Sequence, residues 1–212
     1  MSNASLLPLP PHPAGVPWPT KDWETAEPGA HVDRAKLDLL VDRGFGSQTG
    51  PEMGETHALL VVQHGKIVAE HYRDDFTATS TFPSWSKAKS ITQALIGILI
   101  REGKIDIHAR ADVPEWEDPS DPRHAITLDQ LLRMSSGLAF REEYTDQAPS
   151  DVIEMLWGAG KEDTGAFAAS FDLEHAVGTS WSYSSGTTNI VARCAARALG
   201  ASGLEFEQFM RR

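Results

Sequence analysis

Cysteine is all but missing from this chain: its 212 residues include one, Cys194. That excludes an internal disulfide framework and any metal site built on paired thiolates. Positive charge is also scarce. Lys and Arg number 19 against 30 Asp and Glu, a formal net charge of -11. A nucleic-acid backbone or an anionic membrane surface is bound through clustered cations, so the balance argues against both partners. No apolar run approaches the roughly 20 residues that a membrane span needs. The stretch Met1 to Pro19 lacks a basic segment followed by an apolar one, so no secretory signal is read there and a cytoplasmic location is the expectation. Gly-x-Ser-x-Gly is absent, which argues against the ordinary α/β-hydrolase triad. Gly-rich phosphate loops and His-Glu-x-x-His are absent too, and His57, His64 and His71 show no ligand spacing. Neither a metal nor a cofactor is expected.

What remains has the composition of a globular protein, 41% apolar, long enough to bury a core. Residues 1–32 form a Pro-rich arm. Pro8, Pro10, Pro11, Pro13, Pro17 and Pro19 forbid regular helix or central strand there, and Trp18 and Trp23 suggest that the arm docks. Residues 33–212 read as one further domain. Leu37, Leu40 and Val41 recur at helical spacing after a cap at Asp33, predicting a helix over 33–43. Ala58–Val62 and Ile67–Tyr72 flank the turn residues His64-Gly65-Lys66 and predict a hairpin.

The segment from Lys87 to Arg101 is the strongest helix. Ile91, Ala94, Leu95, Ile98 and Leu99 make a stripe, with Ile96 and Ile100 off it. A helix apolar nearly all round is expected to be buried, and Gly97 in its middle suggests close packing. Thr127-Leu128-Asp129-Gln130 reads as a capping box opening a helix over Leu128–Met134, ended by Gly137 as a C-terminal glycine. Further helices are expected at about 150–158, 162–170, 186–199 and 203–211. Cys194 among alanines is expected to be a small buried hydrophobe.

The chemistry-bearing pattern is Ser-x-x-Lys, Ser86-Lys87-Ala88-Lys89. Positions three apart on a helix share a face, so the lysine amine can stand beside the serine hydroxyl. A serine hydroxyl is a poor nucleophile until a base removes its proton, and a neighbouring lysine can promote this. A helix N-terminus also favours developing negative charge. Ser84-Trp85-Ser86-Lys87 fits the same spacing, and the bland alternative is an N-cap serine followed by solvated lysines.

The run Ser84-Trp85-Ser86-Lys87-Ala88-Lys89-Ser90-Ile91-Thr92, with Gly97 and Gly103 beyond it, resembles the nucleophile segment of the β-lactamase-like, penicillin-recognising serine hydrolases. Within their class C type it looks most like the branch of 6-aminohexanoate-dimer hydrolases and esterases. Leu131-Leu132-Arg133-Met134-Ser135-Ser136-Gly137 resembles a helix end of the same family. Gly178-Thr179-Ser180-Trp181-Ser182-Tyr183-Ser184-Ser185 resembles its Tyr-x-Asn element. The resemblance runs in order from about residue 33 onward.

It implies an α+β fold of the β-lactamase/transpeptidase type: an antiparallel sheet flanked by helices, plus a helical subdomain. It implies Ser86, rather than Ser84, as the nucleophile and donor of one oxyanion N–H, with Lys89 as electrostatic support. Tyr183 would be the proton shuttle, since a phenolate is favoured beside an ammonium. Substrate contacts are expected at Ser185 and, on a loop after the Met134–Gly137 segment, at Tyr144.

The chain departs from the pattern in places. Ser185 replaces the asparagine, Val177 replaces a proline, and neither Ser120-Asp121-Pro122 nor Ser150-Asp151-Val152 is Ser-Asp-Asn. Ser185 in place of asparagine, with the closer match to the aminohexanoate branch, points to a small amide or ester as substrate. A β-lactamase or D,D-peptidase is the alternative within the fold, and a catalytically inactive binding protein the alternative outside enzymes. Lys-Thr-Gly or a variant, on a later strand, has no counterpart after Tyr183. The expectation is therefore an incomplete sheet and a need for a C-terminal complement of the same protein, whether the chain is truncated, cleaved or one subunit of a split enzyme.

Overall fold

A computed structural model describes residues 11–17, 19–46, 54–144, 150–200 and 208–211. The chain divides into two compact units, Met1–Phe82 and Pro83–Arg212.

In the first unit, helix α1 runs Arg34–Phe45, with Asp33 accepting a bond from the Lys36 N–H as its cap. Strands β1 (Ala58–Gln63) and β2 (Lys66–Tyr72) pair antiparallel, Gln63 opposite Lys66, with a register shift between Val61 and Val62. The two residues between the strands, His64 and Gly65, both have positive φ, 51° and 75°, the backbone that a two-residue hairpin turn demands. The Pro-rich arm lies along β2: Ile67 N–H donates to Glu24 O (2.8 Å) and Ala26 N–H to Ile67 O (2.9 Å). Trp18 lies outside the described residues, and Trp23 is exposed. Among the described residues the sheet has two strands, the incomplete α+β pattern expected. His57 is neither exposed nor satisfied: its ring packs on Phe76 and Phe82, and its Nδ1 is buried without a hydrogen-bond partner.

The second unit is helical: α2 (Lys87–Arg101), α3 (Leu128–Leu132), α4 (Asp151–Trp157), α5 (Thr164–Ala169) and α6 (Ser185–Ala198). Its core centres on α6, which touches the other four helices and buries Ile190, Val191, Cys194 and Ala195. The irregular stretch after α2 contributes Ala111, Val113, Trp116 and Ile126. Trp116 is fully buried because its one polar atom is satisfied: Nε1–H donates to Ala169 O at 2.9 Å. Full burial of a side chain such as Leu99 stabilises by about 1.5–3 kcal/mol.

Three expectations need correction. Helix α2 is not buried all round. It sinks Ile96 and Leu99 into the core while Ile91 is 60% exposed, and Ile100 is exposed as well. Gly97 faces open space: beyond its chain neighbours and the backbone of its own helix, no atom lies within 4 Å of the point where a Cβ would stand. Helix α3 ends at Leu132, before Gly137, and the left-handed residue after it is Met134, φ 56°. The capping box is present as read, Thr127 with Gln130. The helix expected at 203–211 lies mostly outside the described residues.

Candidate active site

The site is built wholly from the second unit. Trp85, immediately before α2, has φ 45°, a rare and strained backbone for a bulky residue. This turn brings Ser86 to the first position of the helical path. Ser86 itself is helical, φ -66° and ψ -8°, and its side chain makes no capping bond. An ordinary N-cap serine has extended backbone and spends its oxygen on the N–H groups of the first turn. Here the hydroxyl is left for other partners, and it has two. Lys89 Nζ donates to Ser86 Oγ at 3.1 Å, and Tyr183 OH donates to it at 2.7 Å. Ser84 Oγ reaches only the carbonyl of Trp85.

Tyr183 is delivered by the other two segments singled out in the sequence. After α3, Met134 O accepts from Ser182 N–H (2.9 Å) and Ser135 O from Gly178 N–H (2.8 Å). The Met134 thioether lies 3.2 Å from Thr187 Oγ1, whose one proton it shares with Ser184 O at 2.9 Å, a contact that sets the start of α6 against the same turn. Gly137 has φ 82°, and a Cβ there would stand 2.3 Å from His175 O. Glycine is required at this crossing because the two loops approach backbone to backbone.

Electrostatically, the half-buried Lys89 links the group. Its Nζ lies 4.7 Å from the centroid of the Tyr183 ring and also donates to Ser185 Oγ at 2.9 Å. The Lys89 ammonium, followed by the bond to Ser86, holds the Tyr183 phenol below its ordinary range, partly opposed by burial. Ser185 hands the chain of bonds on: its Oγ–H donates to Glu142 Oε1 at 2.8 Å and its N–H to Glu142 Oε2 at 2.5 Å. Tyr144 OH donates to the same Oε1 at 3.3 Å and is otherwise exposed. Burial, then the Glu142 carboxylate, raises the Tyr144 phenol.

All five residues expected from sequence, Ser86, Lys89, Tyr183, Ser185 and Tyr144, thus meet in one constellation. Glu142 was missed. It sits in the charged run Arg141-Glu142-Glu143, where nothing local distinguishes one carboxylate from its neighbour. A cleft of about 440 Å³ opens beside the group, and its lining includes the apolar side chains of Trp85, Ile153, Leu156 and Trp157. No group of three or more His, Cys, Asp or Glu able to hold a metal occurs among the described residues.

The family model called Beta-lactamase matches residues 52–212. The chain belongs to the Beta-lactamase family. A curated relative, the 6-aminohexanoate-dimer hydrolase of Paenarthrobacter ureafaciens, is 28% identical over 185 residues, covering 80% of this chain and 45% of that protein. Two solved structures share the fold. One is a Bacillus anthracis protein described as a candidate 6-aminohexanoate-dimer hydrolase, with TM-score 0.63, 21% identity, and coverage of 86% of this chain and 50% of that one. The other is a candidate beta-lactamase from Bacteroides dorei DSM 17855, with TM-score 0.58, 21% identity, and coverage of 84% and 48%. The chain spans about half the length of these Beta-lactamase-family relatives. Among the described residues, no helix is long and apolar enough to cross a membrane.

Proposed function

We propose that the protein is a serine hydrolase that cleaves a small linear amide or ester through an acyl-enzyme on Ser86. The observation that carries this reading is the meeting of Tyr183 OH and Lys89 Nζ on one hydroxyl that caps no helix. In the proposed reaction the Tyr183 phenolate, favoured by the Lys89 ammonium, takes the Ser86 proton as Oγ attacks the substrate carbonyl carbon. The tetrahedral oxyanion forms at the N-terminus of α2, where the helix dipole favours negative charge. Tyr183 then protonates the departing amine or alkoxide as the C–N or C–O bond breaks, leaving the acyl group on Ser86. Water attacks this ester, Tyr183 accepts a water proton, and the proton returns to Ser86 as the acid leaves.

Ser185 and Tyr144 are the proposed substrate contacts, and both line the cleft. The preference for a linear amide or ester over a β-lactam rests on Ser185 in place of asparagine and on the 6-aminohexanoate-dimer hydrolase relative. We further propose that full activity needs a C-terminal complement of the same protein, a reading supported by the exposed Ile91 and Ile100 of α2 and by a relative of which the match covers 45%. The test is to treat the complete protein with a fluorophosphonate and map the adduct by mass spectrometry. Labelling of Ser86 is expected. Labelling at Ser84, or hydrolase activity with no labelled serine, would overturn the assignment.

A further inference from the structure

Every donor and acceptor around Lys89 has a direction, and the directions are set from Glu142. A carboxylate only accepts, and a hydroxyl has one proton to give. Glu142 takes the Ser185 hydroxyl proton on Oε1 (2.8 Å) and the Ser185 N–H on Oε2. The lone pairs of Ser185 Oγ therefore face Lys89, which must be the donor across the 2.9 Å contact. With one Lys89 proton committed there, another is aimed at Ser86 Oγ, 3.1 Å away. Ser185 is fixed at the opening of α6, two residues after Tyr183, so the same carboxylate restrains the segment that carries the phenol.

We infer that Glu142 is a positioning residue for the Ser86 chemistry: acting through Ser185, it holds the Lys89 side chain in place with an N–H aimed at Ser86. The inference rests on the serine-hydrolase reading above. The titratable groups facing this relay, among the described residues, are Lys89 on α2, Tyr144 on the loop that carries Glu142, and Tyr183 before α6. The nearby cation Arg141 is engaged elsewhere, its N–H on Asp151 and its guanidinium facing Glu174. Asp151 at the start of α4 accepts from that N–H, so it too is directed away from Lys89.

Glutamine at 142 keeps the size but presents one carbonyl and an amide donor. It cannot accept both Ser185 bonds as the carboxylate does, and it removes the charge. The expected result for Glu142→Gln in the complete protein is a fall of roughly ten- to a hundredfold in kcat/KM, by analogy with carboxylates that orient a metal-ligating histidine from behind. KM should change little. The acidic limb of the pH profile, set by Tyr183, should move to higher pH, because Lys89 is no longer held against the phenol whose pKa it lowers. Glu142→Asp, which keeps the charge, should restore part of the rate and the limb. The double change with Ser185→Ala should cost little more than the worse single change.

The readout is the pH dependence of both ester hydrolysis and fluorophosphonate labelling of Ser86. A uniform loss of rate with an unmoved pH profile would reduce Glu142 to a structural part and overturn the inference, as would additive losses with Ser185→Ala. Failure of the unaltered protein to label at Ser86 would instead overturn the underlying reading, so the two failures are distinguishable.

Discussion

Tyr183 OH stands 2.7 Å from Ser86 Oγ although 97 residues separate them in the chain. Two loops and a glycine crossing bring them together, and the chemistry proposed for the site depends on that meeting.

The Tyr183 phenol is lowered, chiefly by Lys89, and the phenolate is the proposed base. Activity should therefore rise with pH through a value below the ordinary phenol range. Removing the ammonium by Lys89→Met should move this acidic limb upward, toward an unperturbed tyrosine near 10. The pH profile of Ser86 labelling measures it directly. An unmoved limb would mean that another group is the base.

Lys89 and Tyr183 act on one hydroxyl, and groups that work as a unit show strongly non-additive losses. Tyr183→Phe should reduce kcat by about 10²–10⁴-fold. Adding Lys89→Ala should cost little beyond the worse single change. Losses that add in log kcat would separate the two residues.

Asparagine at 185 could keep the direction of the relay, its carbonyl accepting from Lys89 and its amide donating to Glu142. Ser185→Asn should therefore retain ester hydrolysis far better than Ser185→Ala, and raise turnover of a chromogenic cephalosporin relative to a nitrophenyl ester. The ratio of the two kcat/KM values is the measurement. An unchanged ratio would remove Ser185 from the account of specificity.

Gly137→Ala places a methyl against His175 O at 2.3 Å with φ at 82°. A loss of roughly 2–4 kcal/mol of stability is expected, combining the backbone penalty with the clash. Thermal melting and the labelling rate should fall together, because the loops that deliver Tyr183 part at this crossing.

Cys194 is buried, and burial followed by the nearby Asp112 pushes its thiol up to about 12. It should resist a thiol reagent at pH 8 while the protein is folded and react fully in denaturant. Rapid reaction of the folded protein would contradict the packing of α6.

Much of this was legible in the chain itself, for identifiable reasons. The α1, α2 and hairpin signals are local: helical spacing of apolar residues, an Asp33 cap, and a His64-Gly65 turn able to take positive φ. Thr127 and Gln130 state their own capping box. Ser86, Lys89, Tyr183 and Ser185 came from ordered motifs and Tyr144 from its place on a loop, and the fold brings the five together. Periodicity could not say which side of α2 is covered, since Ile91 and Leu99 look alike in sequence while one is exposed and the other buried. Nor could it find Glu142, whose role depends on a contact 43 residues away with Ser185. The left-handed backbone at Met134 was equally hidden, because methionine carries no signal for it.

That methionine has a consequence for anyone redesigning the chain. Position 134 is an inviting target for stabilisation: a bulky residue at φ 56° could give way to glycine with relief of the backbone. Yet the thioether at that position packs against the Thr187 hydroxyl, 3.2 Å away, while the adjoining carbonyl receives the Ser182 amide. One residue thus grips the chain on both sides of Tyr183. A glycine would keep the second grip and release the first, so a variant with a higher melting temperature would have a tyrosine with more freedom to wander. Stability and reactivity are set against each other at a residue that touches neither substrate nor nucleophile.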